Sequence, residues 1–378
     1  MNTWAVIGWL SSGLAFCGVA YTLFAAWLVR RSAPQDVARN DEPVTLLKPL
    51  HFEEPGLEAN LASFMTQDYD APVQVVLGVQ SPSDTAIPIA QKLKELYRGS
   101  DIALTVDPRE HGTNRKVSNL INMLEHARHP ILVLSDSDIR VGPGYLRGVT
   151  RALKETDVGA VTALYVGRPS QALWAGITAM GISYQFLPNV LVGVAIGIAK
   201  PCFGSTIALR RKTLEEIGGF EAVANRLADD YEIGHAVRRL GFTVALAPGA
   251  VEHVCTQATP SDWVNQELRW ARTIAAIDPA GHAGSAVTFP VAWAVLALVS
   301  TPGWWSVGVV LAAVGARAVL KLRVDNIFKA RSGPIWLLPV RDIFAFAIFL
   351  ASFAGRSVEW RGRGFRVAEG ALSEHLRK

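Results

Sequence analysis

The sequence predicts an α/β domain held at a membrane by apolar helices at both ends. Three observations lead there. Short apolar runs alternate with helical patterns through the middle of the chain, residues 4–29 carry no charge, and the last quarter returns to long apolar stretches. Half of the 378 residues are apolar and the mean hydropathy is +0.24. That excess gathers near the N-terminus, around 172–199 and in the last quarter, leaving a soluble-type core between. A net charge of +4 suits anionic lipid headgroups. No dense basic stripe with interleaved aromatics is present, which argues against nucleic acid as a partner. Cys17, Cys202 and Cys255 lie far apart with no C-x-x-C pair, so neither a structural zinc site nor a disulfide framework is expected, and a reducing compartment is.

Residues 4–29 are long enough to cross a bilayer as a helix, and Arg30 and Arg31 follow at once. Basic residues stay on the cytoplasmic side, so the N-terminus is expected outside and the rest inside. An anchor is expected over 1–31 rather than a cleaved signal, because no basic segment precedes the apolar run and no small-residue cleavage site precedes the arginines. A polar linker occupies 32–42. Buried strands are expected at 44–47, 73–79, 102–106, 131–134 and 158–164. Between them, Ile89, Leu93, Leu96 and Tyr97 mark one helix, and Val117, Leu120, Ile121 and Leu124 another. Residues 172–199 are almost uncharged but interrupted by Gly176, Gly181, Pro188, Gly193 and Gly197. A spanning helix there would separate the two halves of the candidate site, so interfacial or re-entrant helices are expected. The stretch 287–320 is apolar and splits near Thr301-Pro-Gly303; 335–353 is apolar and interrupted by Asp342. A basic tail follows with Arg356, Arg361, Arg363 and Arg366. A cytoplasmic tail requires an even number of spans after the catalytic region, and three candidate segments make at least one of them re-entrant or interfacial. The expected organisation is 1–31 anchor, 32–286 catalytic domain, 287–355 membrane helices and 356–378 basic tail.

The run Ile131-Leu-Val-Leu-Ser-Asp136-Ser-Asp138 delivers two carboxylates at the C-terminal end of an apolar strand, where open α/β sheets bind ligands. Carboxylates two residues apart can share Mg2+ or Mn2+, which would bridge the diphosphate of a sugar nucleotide. Acidic turn residues at a strand exit are the ordinary alternative. Asp229 and Asp230 open a helix whose apolar face is Ile233, Val237 and Leu240. Acids there often serve only the helix dipole; the chemical reading makes Asp230 the general base for an acceptor hydroxyl. Gln266, Arg269 and Trp270 share one face of a helix expected to begin near Ser261 or Asp262. The guanidinium can bind phosphate and the indole can wall off a sugar or lipid, or the pair can mark a membrane interface. Lys48 and Pro49 end the first strand, Asp84 follows the second, and Asn114, Lys116 and Asn119 start a helix. These are candidates to hold a nucleotide base and phosphates. His253, after a strand expected at 244–247, is a candidate third metal ligand with Asp136 and Asp138, a structural histidine being the alternative.

In chain order, Asp84, Asp136, Asp230 before Tyr231, and Gln266-x-x-Arg269-Trp270 resemble the ceramide glucosyltransferase family, glycosyltransferase family 21. Leu46-Leu-Lys-Pro-Leu50, Ser135-Asp-Ser-Asp-Ile-Arg-Val141 and Trp360-Arg-Gly-Arg-Gly-Phe-Arg366 look similar too, so the resemblance covers nearly the whole chain. It implies a GT-A, Rossmann-like glycosyltransferase domain with flanking transmembrane or interfacial helices. It also implies that Asp84 binds the nucleotide base, Asp136 and Asp138 the metal and diphosphate, that Asp230 is the base, and that Gln266, Arg269 and Trp270 close over donor and acceptor. Asp136-Ser-Asp138 departs from the Asp-Ser-Gly of the animal enzymes, and Asp229 stands where Glu is usual. Pro201-Cys-Phe-Gly-Ser-Thr206 is similar to bacterial relatives, including the hopanoid-biosynthesis glycosyltransferases. That branch implies UDP-N-acetylglucosamine ahead of UDP-glucose as donor and a hopanoid polyol ahead of ceramide as lipid acceptor. It also implies a multi-pass protein of the bacterial inner membrane with its catalytic domain on the cytoplasmic side. A processive polysaccharide synthase shares D-x-D and Q-x-x-R-W but needs a translocation channel. A transporter or scaffold with a degenerate sugar-nucleotide domain would have lost the acids. Both stay open as alternatives.

Overall fold

The computed structural model describes residues 2–31 and 42–355, with strand segments at 357–360, 363–368 and 371–374. The linker expected at 32–42, Glu42 apart, and the side chains of the basic tail, Arg356, Arg361, Arg363 and Arg366 among them, lie outside the described residues.

A 29-residue helix, α1 (Thr3–Arg31), precedes the sheet. The eight strands are β1 (Val44–Pro49), β2 (Val73–Val79), β3 (Asp101–Val106), β4 (Ile131–Leu134), β5 (Ile139–Arg140), β6 (Val158–Pro169), β7 (Ile207–Arg210) and β8 (Thr243–Cys255). They lie in the order β3-β2-β1-β4-β7-β6-β8-β5. The first four pair in parallel, β7 inserts antiparallel between β4 and β6, and β6 and β8 are parallel again. β1 and β4 are buried at every position, as helices on both faces of a parallel sheet require. Alternation along the strands separates two cores. Leu46, Val75, Leu77 and Val133 face α2 (Leu57–Met65), α3 (Ala86–Leu96) and α5 (Tyr145–Ala152). Leu47, Val76, Leu132 and Leu134 face α4 (Arg115–Leu124), the short α8 (Arg211–Glu216) and α9 (Asp229–Arg239).

The five strands expected between 44 and 164 are present, and β5 and β7 are additions. The strand expected at 244–247 instead runs on to Cys255 through a bulge, where Leu246 pairs with Thr162 and Ala250 with Leu164. Pro248 and Gly249 (φ +80°) sit in that bulge, so a turn signal in the sequence proves to be a kink within one strand. His253 therefore lies inside β8, not after it.

α6 (Leu173–Gly181), a π-turn (Ile182–Phe186) and α7 (Leu187–Ala195) form one apolar stretch. It is long enough to cross a membrane, yet 72% of it is buried within the protein. Of its three glycines, Gly181 and Gly193 are contacts rather than breaks, while Gly176 faces open space. At Gly181 a Cβ would meet the Arg341 guanidinium at 2.3 Å, and at Gly193 it would meet Ala199 Cβ at 2.6 Å. Opposite α6, a Cβ at Gly167 of β6 would lie 2.4 Å from Ala179 Cα, so helix and strand touch backbone to backbone.

After α10 (Pro260–Ile277) and α11 (Pro279–Gly284) come α12 (Pro290–Ser300), α13 (Trp304–Phe328) and α14 (Leu338–Ser352). By length and composition, α1, the stretch 173–195 and the stretch 335–352 can cross a membrane; 279–288 and 290–300 together make a fourth, bent by 64°. Small residues bring α1 against α12: Gly8 abuts Thr301, and Gly18 abuts Val287 O and Pro290. Asp342, an apparent interruption in the sequence, accepts from Arg317 Nε at 2.6 Å and Nη2 at 2.8 Å, both residues buried. Arg317 Nη1 also donates to Tyr184 O in the π-turn, at 2.6 Å.

Removing one partner of such a pair leaves an uncompensated buried charge. Asp342→Ala is expected to destabilise the protein by about 3–5 kcal/mol, and replacing both residues with leucine by much less. Thermal unfolding in detergent measures both; equal losses would contradict this assignment.

Candidate active site

The C-terminal ends of β1, β2 and β4 converge, as in open α/β sheets that bind ligands. Lys48 is fully buried beneath this edge, its ammonium 3.3 Å from Ser135 Oγ and donating to the Asp136 carbonyl. Burial pulls its pKa down to about 7 against the pull of the nearby carboxylates. Asp84 is also buried, and its Oδ1 accepts from the amides of Phe52 and Ala86, both at 2.9 Å. That carboxylate fixes the loop after β1, where Phe52 holds a left-handed backbone (φ +59°) and an exposed ring stacked on His51. Asn119 Nδ2 donates to Gly78 O at 2.8 Å, while its buried Oδ1 accepts no hydrogen bond within the described residues.

α4 and α9 bring the central charges together. Asn114 caps α4 by accepting from Val117 N, and its amide group donates to Arg226 O at 2.8 Å, tying α4 to the approach to α9. Two residues on, Lys116 Nζ stands 2.8 Å from Asp136 Oδ1 and 3.2 Å from Asp229 Oδ2. Burial opposes its charge, but Asp136, Asp229 and Asp230 together outweigh that and raise its pKa. Asp230 Oδ2 accepts from Gly204 N at 2.9 Å and Oδ1 from Tyr231 N at 2.8 Å. Gly204 is required here: a Cβ would lie 2.9 Å from Asp136 Oδ2 and 3.0 Å from Lys116 Nζ. Burial, reinforced by Asp229, lifts Asp230 to about 6, with Lys116 and the two amides pulling the other way.

Asp138 Oδ1 is buried and accepts no hydrogen bond within the described residues, and Asp138 Oδ2 is 3.7 Å from His253 Nε2. Among the described residues no three His, Cys, Asp or Glu side chains converge as a metal cage. Asp136, Asp138 and His253 thus do not close a site by themselves. The orphaned Asp138 oxygen and the outward Asp136 carboxylate fit a hard cation that takes its remaining ligands from phosphate and water.

His253 is flanked by Tyr165 (5.7 Å between ring centroids) and Trp270 (6.2 Å). Trp270 comes from α10, which starts one residue ahead of expectation with a reciprocal Thr259–Asp262 capping box and Pro260. Arg269 Nη2 donates to Gln266 Oε1 at 3.1 Å on the same helix. Trp270 is thereby joined to Asp138 through His253, while Asp84 and Asn119 cluster at the β2 end beside Lys48 and Pro49 of β1. The sequence reading missed Tyr165, Phe52 and Gly204. Tyr165 stacks on Phe186 and meets Phe203 edge-on, and burial, with Asp230, Asp138 and Asp136 near it, raises its pKa. Only pairing across β6 and β8 brings it there.

The GT-A-type fold is shared with a mannosyltransferase from Pyrobaculum calidifontis, solved with GDP-Man and Mn2+. It superposes with a TM-score of 0.50 at 21% identity, over 93% of this chain and 99% of that one. Ceramide glucosyltransferase 1 of Caenorhabditis elegans is 24% identical over 237 residues, covering 62% of this chain and 50% of its own. The probable glycosyltransferase YdaM of Bacillus subtilis is 24% identical over 61% of this chain and 54% of its own. The chain thus spans about half the length of the curated relatives it matches. A family model, glycosyl transferase family 21, matches residues 11–373, and the chain belongs to that family.

Proposed function

We propose that this protein transfers one sugar from a nucleoside diphosphate sugar to the hydroxyl of a membrane lipid, with inversion at the anomeric carbon. The observation that carries this reading is the cluster around Gly204. A carboxylate with its pKa lifted to about 6, Asp230, sits in one small space with Asp136 and Lys116. Asp229 is engaged by Lys116 and Asn114, which leaves Asp230 as the base and no second carboxylate placed as a nucleophile.

In this reading Asp84 and the loop holding Phe52 take the nucleotide base. Lys48, Pro49, Asn114, Lys116 and Asn119 shape the nucleotide-sugar cleft, Asp136 facing the diphosphate. Mg2+ or Mn2+ bound at Asp136 and Asp138 would neutralise the departing diphosphate. Gln266, Arg269 and Trp270 close the cleft, the guanidinium facing phosphate. The Mn2+ complex of the archaeal mannosyltransferase supports a divalent cation here. Similarity of Pro201–Thr206 to hopanoid-biosynthesis enzymes favours UDP-N-acetylglucosamine, then UDP-glucose, with bacteriohopanetetrol as acceptor. The worm ceramide glucosyltransferase relative keeps ceramide as the second acceptor.

The topology that fits is a bacterial inner-membrane protein with its catalytic sheet in the cytoplasm. α1 crosses with Arg30 inside; the 279–300 stretch crosses outward, and α13 returns. Gly8 against Thr301, with Trp9 and Phe16 beside Trp305, supports an α12–α13 turn level with the start of α1. α14 then stays on the catalytic side, bonded to α10 through Arg341 and Glu267 (3.3 Å).

The test is transfer from UDP-N-acetylglucosamine or UDP-glucose to bacteriohopanetetrol or ceramide, with Mg2+ or Mn2+. Asp230→Asn is expected to lower kcat by about 10²–10⁴-fold with donor binding retained. A polymeric product, or retention of anomeric configuration, would overturn the mechanism. Chelation is expected to abolish turnover, restored by either cation.

Activity also carries a pH signature. The base acts as carboxylate, so kcat/KM is expected to rise through pH about 6 and level off above it. Stability runs the opposite way. A carboxyl raised from 3.8 to about 6 on folding binds more protons folded than unfolded, so its contribution falls as pH rises between those values. Asp230→Asn is therefore expected to raise Tm at neutral pH while removing activity.

A further inference from the structure

The α7 helix leaves the π-turn beside Arg317 and passes α1, where the Tyr21 hydroxyl donates to Asn189 Oδ1 at 3.0 Å. It continues six residues, about 9 Å, beyond that contact. Its tip is Val194-Ala-Ile-Gly-Ile-Ala199, without one polar side chain. Ile196 is 54% and Ile198 74% exposed, whereas Leu191 and Val192 a turn earlier are buried. The backbone of this turn is closed on itself. Ile196 N donates to Val192 O, Gly197 N to Val194 O, and the amides of Ile198 and Ala199 both to Gly193 O. Gly193 lets Ala199 fold back against the helix, and Gly197 takes the left-handed turn (φ +76°).

These amides are bonded as at a common glycine-ended helix terminus, a closure that serves in hydrocarbon as well as in water. The exposed isoleucines, with no polar side chain beside them on the tip, point to lipid as their surroundings. The first charge after the tip, Lys200, is exposed, and the carbonyls of Lys200 and Pro201 accept from Arg238. Two cations at the foot of the finger suit the headgroup layer.

We infer that the α7 tip, Val194–Ala199, inserts into the hydrocarbon of the inner leaflet and that its return segment leads a lipid acceptor to the base. This rests on the membrane-lipid reading above. The return is short. Four residues after Lys200 the chain reaches Gly204, whose amide holds Asp230, and Phe203 on the way meets Tyr165 and Phe186 edge-on. A lipid head following the finger out of the bilayer thus arrives at the base while its tail stays in the membrane.

The experiment places an environment-sensitive fluorophore on Ile198→Cys in a Cys17→Ser background, in phosphatidylethanolamine–phosphatidylglycerol vesicles. Quenching is compared between nitroxide-bearing acyl chains and aqueous iodide. The expected result is strong quenching by the lipid nitroxide and little by iodide; the reverse overturns the inference. Native Cys17, exposed on α1, carries the same fluorophore as a control. If Cys17 reports lipid and position 198 reports water, only the finger fails; if both report water, the membrane reading fails with it. Ile198→Asp is further expected to reduce transfer to a vesicle-embedded acceptor by about tenfold or more, with donor binding unchanged and Ile198→Leu close to wild type. Full transfer by Ile198→Asp would remove the finger from the acceptor route.

Discussion

The Lys116 ammonium lies 2.8 Å from an Asp136 oxygen and 3.2 Å from one of Asp229, in a space where a third carboxylate, Asp230, is held by the Gly204 amide. Two like charges about 4 Å apart near a protein surface repel by roughly 4 kcal/mol, so three carboxylates could not stay this close unaided. The lysine gathers them. In doing so it joins α4, the exit of β4 and the start of α9, segments far apart in sequence. The same arrangement divides labour among the acids: Asp229 is engaged by the lysine and Asn114, Asp136 meets the lysine with Oδ1 and turns Oδ2 toward Gly204, and Asp230 bears the rise in pKa.

Much of this architecture is legible because parallel strands buried on both faces read as unbroken apolar runs. Val-Gln-Val-Val-Leu-Gly-Val at β2 and Ile-Leu-Val-Leu at β4 need no tertiary information. The carboxylates at 136 and 138 were visible for the same reason, since they end such a run. What escaped depends on partners distant in sequence. β7 is only Ile-Ala-Leu-Arg, and pairing with β4 and β6 makes it a strand. Pro248-Gly249 reads as a turn, whereas β6 continues alongside and holds the strand together across it. Gly181 and Gly193 read as helix breakers because a pattern cannot tell an absent side chain that weakens a helix from one that admits a neighbour. Asp342 reads as an isolated interruption of an apolar run; the structure pairs it with Arg317, 25 residues earlier.

The apolar helices and the sheet are joined by buried hydrogen bonds as well as by the chain. Ser332, in the turn between α13 and α14, donates to Gly167 O of β6 at 2.7 Å and accepts from the Ser183 hydroxyl in the π-turn at 2.7 Å. Its amide donates to Tyr184 Oη, which in turn donates to Asp325 of α13 at 2.6 Å. Two residues upstream of Gly167, the same strand presents Tyr165 to the carboxylates. A displacement of α13 relative to α1 is therefore felt at β6 through short, buried bonds, because packed interiors transmit strain rather than absorb it.

A second connection reaches the opposite wall of the site. Arg341 of α14 is buried and bonds Gln185 of the π-turn and Glu267 of α10, in space that only a glycine at 181 leaves open. Glu267 lies between Gln266 and Arg269, so the ion pair fixes the rotation of the helix that presents Trp270 to His253. The π-turn is common to both connections: Ser183 and Tyr184 face β6 and α13, Gln185 faces α14, and Phe186 stacks on Tyr165 and meets Phe203 edge-on. A π-turn inserts an extra residue and so shifts the helical phase between α6 and α7. Its place in a helix that is mostly buried and apolar explains why this segment is neither a free membrane span nor an ordinary core helix. It is the joint at which the apolar tip of α7, helices α13 and α14, and the strand and helix that present Tyr165 and Trp270 are held in one register.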